Sequence, residues 1–232
     1  MVTVAGEAPA RRWWADPWAG RARWVLAGFV IFMVAGNAAI AVPSLVLQWR
    51  APAPKPAAAA EVRDVANLAL VDDKVWRGAA PSSLAGYESL AAAGVTTVVD
   101  LRAESGLEAA TADAAALGLA VVSLPIRDGQ TPTPEQIEAF VRTVDKADGT
   151  VFLHCGAGVG RTGSMAAAYL VATGQTNGIK AMWRNLTVGP PSLEQLAFAA
   201  GLTSDSAQRP GPILTSVSRV LDAPRRLWSV LG

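Results

Sequence analysis

Residues 154–163 read His-Cys-Gly-Ala-Gly-Val-Gly-Arg-Thr-Gly, and they hold the only cysteine and the only histidine of the 232-residue chain. Five residues, none bulkier than valine, separate Cys155 from Arg161. The apolar run Val151-Phe152-Leu153 leads in and reads as a short buried strand. The alanine-rich stretch that follows reads as a helix starting near Arg161. Glycines at 156, 158, 160 and 163 allow tight and left-handed backbone that bulkier residues resist. A strand, a glycine loop and a helix start, in that order, can aim several backbone N–H groups at one centre, and the helix adds its positive end. Such a nest, formed by Gly156, Ala157, Gly158, Val159 and Gly160, holds a tetrahedral oxyanion without a metal.

Cys155 sits at the base of that nest. A helix N-terminus and a nearby cation favour the thiolate, the nucleophilic form. Arg161 offers a planar fork for two equatorial oxygens of a phosphoryl group. The Thr162 hydroxyl can donate to the thiolate, stabilising Cys155 as nucleophile and later as leaving group. His154 is expected to face away from the substrate and to hydrogen-bond the backbone beside the loop. An acid must protonate the departing oxygen. Asp128 follows the apolar segment Leu119 to Leu124, so it lies just beyond a strand end, where α/β sheets bind ligands. The same carboxylate can then take a proton from attacking water. Asp100 and Glu104 are rival acids, although Asp100 reads better as a strand end that braces its neighbouring loop. The plain alternatives are a buried inert cysteine, a structural histidine and an ordinary turn aspartate. The spacing, the glycines and the Thr-Gly after the arginine weigh together against them.

His-Cys-x5-Arg-Thr-Gly resembles the signature of the protein tyrosine phosphatase superfamily, complete from His154 to Gly163. The segment Lys74 to Ser82 is similar to the opening of small dual-specificity-type phosphatases, and Val98 to Arg102 to their second strand. Asp128 stands 27 residues before the cysteine, which suits their movable acid loop, although its tryptophan-proline-aspartate form is absent. The resemblance covers about residues 61–202. It implies Cys155 as nucleophile, Arg161 as phosphate ligand and Asp128 as general acid. The segment Val188 to Gln195 resembles the one after the signature helices; Gln195 reads either as a water-placing side chain or as a surface residue.

The implied activity is metal-independent hydrolysis of phosphomonoesters through a phosphocysteine, with phosphotyrosine as substrate and phosphoserine or phosphothreonine beside it. A phosphoinositide or inositol phosphate substrate is the alternative, although the loop lacks the lysines typical of such enzymes. A non-catalytic, phosphate-binding pseudophosphatase is a further alternative. No cofactor is implied: one histidine and one cysteine argue against a zinc site, and no dinucleotide fingerprint appears. Rhodanese-like loops usually lack His-Cys together with Arg-Thr-Gly, and thiol-coupled arsenate reductases need further cysteines.

No charged residue occurs in the 26 residues from Trp24 to Trp49. About 20 apolar residues cross a bilayer, and tryptophans at both ends are interfacial anchors. The expected organisation is a cytoplasmic segment 1–23, a transmembrane helix 24–49, a Pro/Ala linker 50–60, a dual-specificity-like phosphatase domain 61–202 and a tail 203–232. A cleaved signal peptide and a buried soluble helix are the other readings of residues 24–49. Arg11, Arg12, Arg21 and Arg23 precede this stretch, and Arg50 and Lys55 follow it. The positive-inside tendency therefore puts residues 50–232 outside the cytoplasm, with the cytoplasmic side as the alternative. The expected partners are a phosphorylated protein or other phosphomonoester, and membrane lipid along residues 24–49. A net charge of +1 makes no case for nucleic acid.

Within the domain, helix signals at 87–93 and 108–117 alternate with strand signals at 95–101 and 119–124. Thr133-Pro134-Glu135-Gln136 is a helix start with a capping threonine and a glutamine three residues on, followed by the stripe Ile137, Phe140, Val141, Val144. This alternation predicts an α/β domain, a central, mostly parallel sheet flanked by helices, preceded by one transmembrane helix. In the tail, Ile213, Leu214, Val217, Val220 and Leu221 can share a helical face; Leu227, Trp228 and Leu231 follow Pro224. That face lies either on a membrane surface or on the domain.

Overall fold

The computed structural model describes residues 17–104 and 108–231. Arg11 and Arg12, expected to precede the membrane segment, lie outside the described residues, as do the side chains of Leu227, Trp228 and Leu231. The chain divides into two units at Ala39/Ile40.

Helix α1 runs Pro17–Arg50. Its stretch Arg21–Arg50 is long and apolar enough to cross a membrane, and holds an 18-residue window of mean hydropathy 2.3. In its first part the apolar side chains of Val25, Leu26, Val30 and Ile31 point outward, as a lipid-facing helix requires. Asn37 is accommodated inside the helix by donating to the Met33 carbonyl at 2.9 Å. The last turns behave differently. Ser44 is fully buried, and its hydroxyl donates to the carbonyl of Leu186 at 2.7 Å.

The second unit is built on five strands, β1 Ala69–Leu70, β2 Val75–Ala79, β3 Val95–Arg102, β4 Ala120–Ile126 and β5 Thr150–Cys155, in the order β1-β2-β5-β3-β4. Only β1 is antiparallel, to β2; the other pairings are parallel. The sheet is therefore mostly parallel, as expected.

Alternation along the strands sorts the core into two layers. Val151, Leu153 and Cys155 of β5 and Val99 and Leu101 of β3 join the cluster that holds Phe140, Met165 and Phe198. These come from helices α4 Pro134–Lys146, α5 Gly160–Ala172 and α7 Leu193–Gly201, and Ala181 of α6 Gly178–Leu186 packs with them. On the opposite side Phe152 and Val98 meet Tyr87 and Leu90 of α2 Leu84–Ala92 and Ala114 of α3 Glu108–Ala116. Helix α4 begins with the expected capping box: the Thr133 hydroxyl accepts from Gln136 N and the Gln136 side chain accepts from Thr133 N.

The Pro/Ala linker lies closer to the domain than a free tether would, and the tail takes the second of its two expected places, on the domain. Leu70 N donates to the Pro54 carbonyl at 2.8 Å. After it comes a short 3-10 turn, Ala57–Ala60, whose Ala58 and Ala59 pack on the α2 side of the core. Alanine methyls are small enough to lie flat there, so the stretch runs along the domain. At the other end, α8 Pro212–Leu231 continues through Pro224. It packs on α7, with Ser218 buried and accepting from Glu194 N at 3.0 Å, and with Leu221 and Asp222 buried.

Candidate active site

Strand β5 ends at Cys155, the loop occupies 156–159, and α5 starts at Gly160. The strand ends with the thiol at the edge of the core, and the helix start brings its free amides to the same end of the strand. Gly158 has φ +73°, and a Cβ there would collide with the backbone of Gly78 in β2. The loop is pressed onto the neighbouring strand, and only glycine allows both the conformation and the approach.

Cys155 is buried. His154 is buried as well, with its Nδ1 3.4 Å from the Cys155 carbonyl and 3.8 Å from Asp100 Oδ1, and its ring stacked on Phe152. Burial chiefly, opposed by Asp100, lowers its pKa to about 4. His154 is neutral at pH 7 and lies beneath the loop.

Arg161 is in the first turn of α5 and is 4% exposed. Its Nη1 donates to Glu104 Oε2 at 2.9 Å and to the Ile126 carbonyl at 3.1 Å; its Nη2 lies 2.9 Å from Glu104 Oε1. Its Nε is 3.5 Å from Asp128 Oδ1. Burial works to lower its pKa, but the Glu104 hydrogen bond and the charges of Cys155, Glu104 and Asp128 outweigh burial and raise it. Glu104 is correspondingly held below its ordinary value: burial opposes, and the Arg161 contact prevails. This two-pronged pair fixes the guanidinium plane.

The three carboxylates therefore separate. Asp128, largely exposed on the turn after β4, reaches the Arg161 edge. Glu104 braces Arg161. Asp100 is committed to Arg102, by bonds of 3.0 Å from Nε and 2.7 Å from Nη2; burial pushes its pKa up, but the Arg102 contacts and His154 bring it below the usual value.

Thr162 is fully buried, and its hydroxyl has no hydrogen-bond partner within the protein. The expected bond to the Cys155 thiol is not made, and the hydroxyl remains available at the helix start. Gln195, read from sequence as a water-placing or surface residue, is buried. Its Nε2 donates to the Gln130 carbonyl at 3.1 Å, and the Ser192 hydroxyl donates to the Gly129 carbonyl at 3.3 Å. The turn carrying Asp128 is thus tied to the start of α7. A Cβ at Gly160 would meet the Gln195 amide and force that side chain to shift.

Beside the loop opens a cleft of about 310 Å³ walled by Asp128, Gly160, Pro190, Gln195 and, from α8, Asp222. Among the described residues, no lysine or arginine lines it. Among the described residues no three His, Cys, Asp or Glu side chains are arranged to hold a metal ion.

Four participants were not legible in the motif. Arg77 Nη2 donates to the carbonyls of Gly158 at 2.9 Å and Val159 at 3.1 Å, and its Nη1 to Asn185 Oδ1 at 2.6 Å. Asn67 Nδ2 donates to the Ala157 carbonyl at 2.9 Å. Asp222 arrives from the tail. These contacts join residues up to 108 positions apart, and no local pattern announces them; only Arg77, inside the Lys74 to Ser82 segment, carried any sequence signal.

The sequence model of "DSP-PTPase phosphatase fused to NAD+ Kinase" matches residues 60–201. Probable NAD kinase 2, chloroplastic, from rice (Oryza sativa subsp. japonica) is 30% identical over 149 residues, 60% of this chain and 15% of that protein. Human dual specificity protein phosphatase CDC14C is 41% identical over 44 residues, 19% of this chain and 10% of that protein. The chain thus spans a small part of the length of these relatives. Among solved structures, Tk-PTP in its active form superimposes with TM-score 0.53 at 19% identity, covering 60% of this chain and 97% of that one. P. aeruginosa TpbA in complex with pTyr gives TM-score 0.51 at 20% identity, covering 74% and 98%. The likeness to these two structures is one of fold.

Proposed function

The chain belongs to the family of DSP-PTPase phosphatases fused to NAD+ kinase, and from that premise we propose a residue-level mechanism and a substrate class for it. It is a metal-independent, cysteine-based phosphatase of the tyrosine and dual-specificity superfamily. In the proposed first step the Cys155 thiolate attacks phosphorus from below, the ester P–O bond breaks, and Asp128 gives its proton to the leaving oxygen. Arg161 and the amides of 156–160 take the charge of the phosphoryl oxygens. In the second step water attacks the phosphocysteine, Asp128 takes its proton, the S–P bond breaks, and the Thr162 hydroxyl receives the returning thiolate. The observation that carries the reading is the convergence of Asp128 and Arg161, 3.5 Å apart, at the helix start that follows Cys155.

The substrate we favour is a phosphorylated protein side chain, phosphotyrosine first. Among the described residues, two carboxylates and no basic side chain line the cleft beside the loop. A polyanionic inositol phosphate would meet repulsion there, whereas a singly phosphorylated side chain keeps its charge within the loop. The kinase domain found fused in the family adds a second candidate, the phosphate that an NAD kinase places on NAD. A metal-free panel of phosphotyrosine and phosphoserine peptides, phosphoinositides, inositol phosphates and NADP+, with Cys155→Ser as control, separates these. Faster turnover of inositol phosphates or NADP+ than of phosphopeptides would displace the protein substrate.

The apolar N-terminal helix supports a single-pass membrane protein. With Ser44 engaged by Leu186, the length left for the bilayer is Trp24 to Pro43, twenty residues, or about 30 Å of helix, which matches a hydrocarbon core. The charge bias of the flanking residues supports a catalytic domain outside the cytoplasm. Protease digestion of intact cells tests this: loss of residues 61–232 is expected, and protection reverses the orientation.

A further inference from the structure

Every carbonyl of the loop from Cys155 to Val159 accepts a hydrogen bond from outside the loop. Ala80 N donates to Cys155 O at 2.8 Å and to Gly156 O at 3.1 Å. The Asn67 side chain takes Ala157 O, and the Arg77 guanidinium takes Gly158 O and Val159 O. In a trans peptide the C=O of one residue and the N–H of the next point in opposite directions. Tying five carbonyls outward therefore turns the amides of Gly156, Ala157, Gly158, Val159 and Gly160 inward, toward the phosphate. Resting on the phosphatase reading above, we propose that Arg77 and Asn67 are positioning residues of the phosphate-binding loop, clamping its carbonyls so that the amides face the transferred phosphoryl group.

Arg77 has the setting for this role. It projects from β2 beneath the loop, 4% exposed, and Asn185 Oδ1 holds its other prong. Burial brings its pKa down to about 10, with Cys155 opposing, so it remains a cation at neutral pH. Asn67 is exposed at the rim and adopts φ +55°, a conformation glycine takes without strain. Asn67→Gly thus removes the amide donor and leaves the backbone undisturbed.

The test is direct binding of orthovanadate and inorganic phosphate to the full chain in detergent, by titration calorimetry, alongside KM and kcat for p-nitrophenyl phosphate. Asn67→Gly is expected to weaken both anions and raise KM by about fivefold, the worth of one net hydrogen bond. Arg77→Met loses two charge-assisted bonds and should weaken them by more than about tenfold, with Arg77→Lys recovering part of the loss. A merely structural role would lower the melting temperature and leave the anion affinity of the folded protein intact. Wild-type vanadate affinity in both Asn67→Gly and Arg77→Met overturns the proposal. If Arg77→Met does not fold, unchanged affinity in Asn67→Gly overturns it alone. A wild-type chain that binds vanadate but turns over no ester sinks the phosphatase reading and still leaves the clamp measurable through binding.

Discussion

Asp128 Oδ1 lies 3.5 Å from Nε of Arg161, although β5 and α4 intervene between them in the chain. The turn after β4 and the start of α5 thus bring an exposed carboxylate to the edge of the Arg161 guanidinium. Ser192 and Gln195 hold that turn from the side of α7. In the proposed mechanism a group placed there would meet the leaving oxygen of an ester whose phosphoryl oxygens Arg161 holds.

Asp128→Asn should therefore lower kcat by about 100-fold or more for alkyl phosphates, whose leaving groups need a proton, and much less for p-nitrophenyl phosphate. Steady-state kinetics on phosphoserine peptides beside p-nitrophenyl phosphate checks this. Equal losses on both esters would take Asp128 out of the acid role.

Glu104 binds Arg161 through both oxygens, so it sets the plane of the guanidinium that the proposed mechanism gives to phosphate. Glu104→Gln keeps the size and removes the charge. KM is expected to rise about tenfold with a smaller fall in kcat, because orientation of the fork is lost in ground and transition states alike. A KM equal to wild type would show that the pair is dispensable.

Much of this was legible at short range. The string His154 to Gly163 encodes its own loop because the glycines, the thiol and the helix start are consecutive. The α4 capping box and the strand–helix alternation are local for the same reason. What escaped the sequence lies across it. Arg77 reaches the loop over 81 positions, Glu104 reaches Arg161 over 57, and Ser44 reaches Leu186 over 142. Their partners are carbonyls, or a charge that any of several residues could have met. Gln195 divided between two readings because its sequence neighbourhood is a plain helix start; burial against Gly160 is a tertiary fact.

Ser44→Ala should cost about 1–2 kcal/mol, since the Leu186 carbonyl is left buried without its donor. Thermal melts of the full chain in detergent read this as a lowered Tm, with kcat for p-nitrophenyl phosphate retained. An unchanged Tm would mean that the end of α1 does not rest on α6 in solution.

His154 sets a pH dependence of stability. Its folded pKa of about 4 lies below the ordinary 6.5, so the unfolded chain binds its proton first as pH falls. Its contribution is complete above pH 6.5, declines between 6.5 and about 4, and amounts to about 3 kcal/mol over that window. Asp100 and Glu104, held below their ordinary values, lose stabilisation in the same direction at lower pH. Denaturation series at several pH values, wild type against His154→Gln, should show a shallower slope in the variant between pH 6.5 and 4.5. Identical slopes would refute the neutral buried imidazole.

Acid quenching of the full chain during turnover of a phosphotyrosine peptide, with chelator present, followed by mass spectrometry of the peptide carrying Cys155, tests the covalent mechanism most directly. A phosphoryl group on the Cys155 sulfur, absent from an inactive Cys155→Ser, is the predicted result. Undiminished turnover by Cys155→Ser would contradict the account.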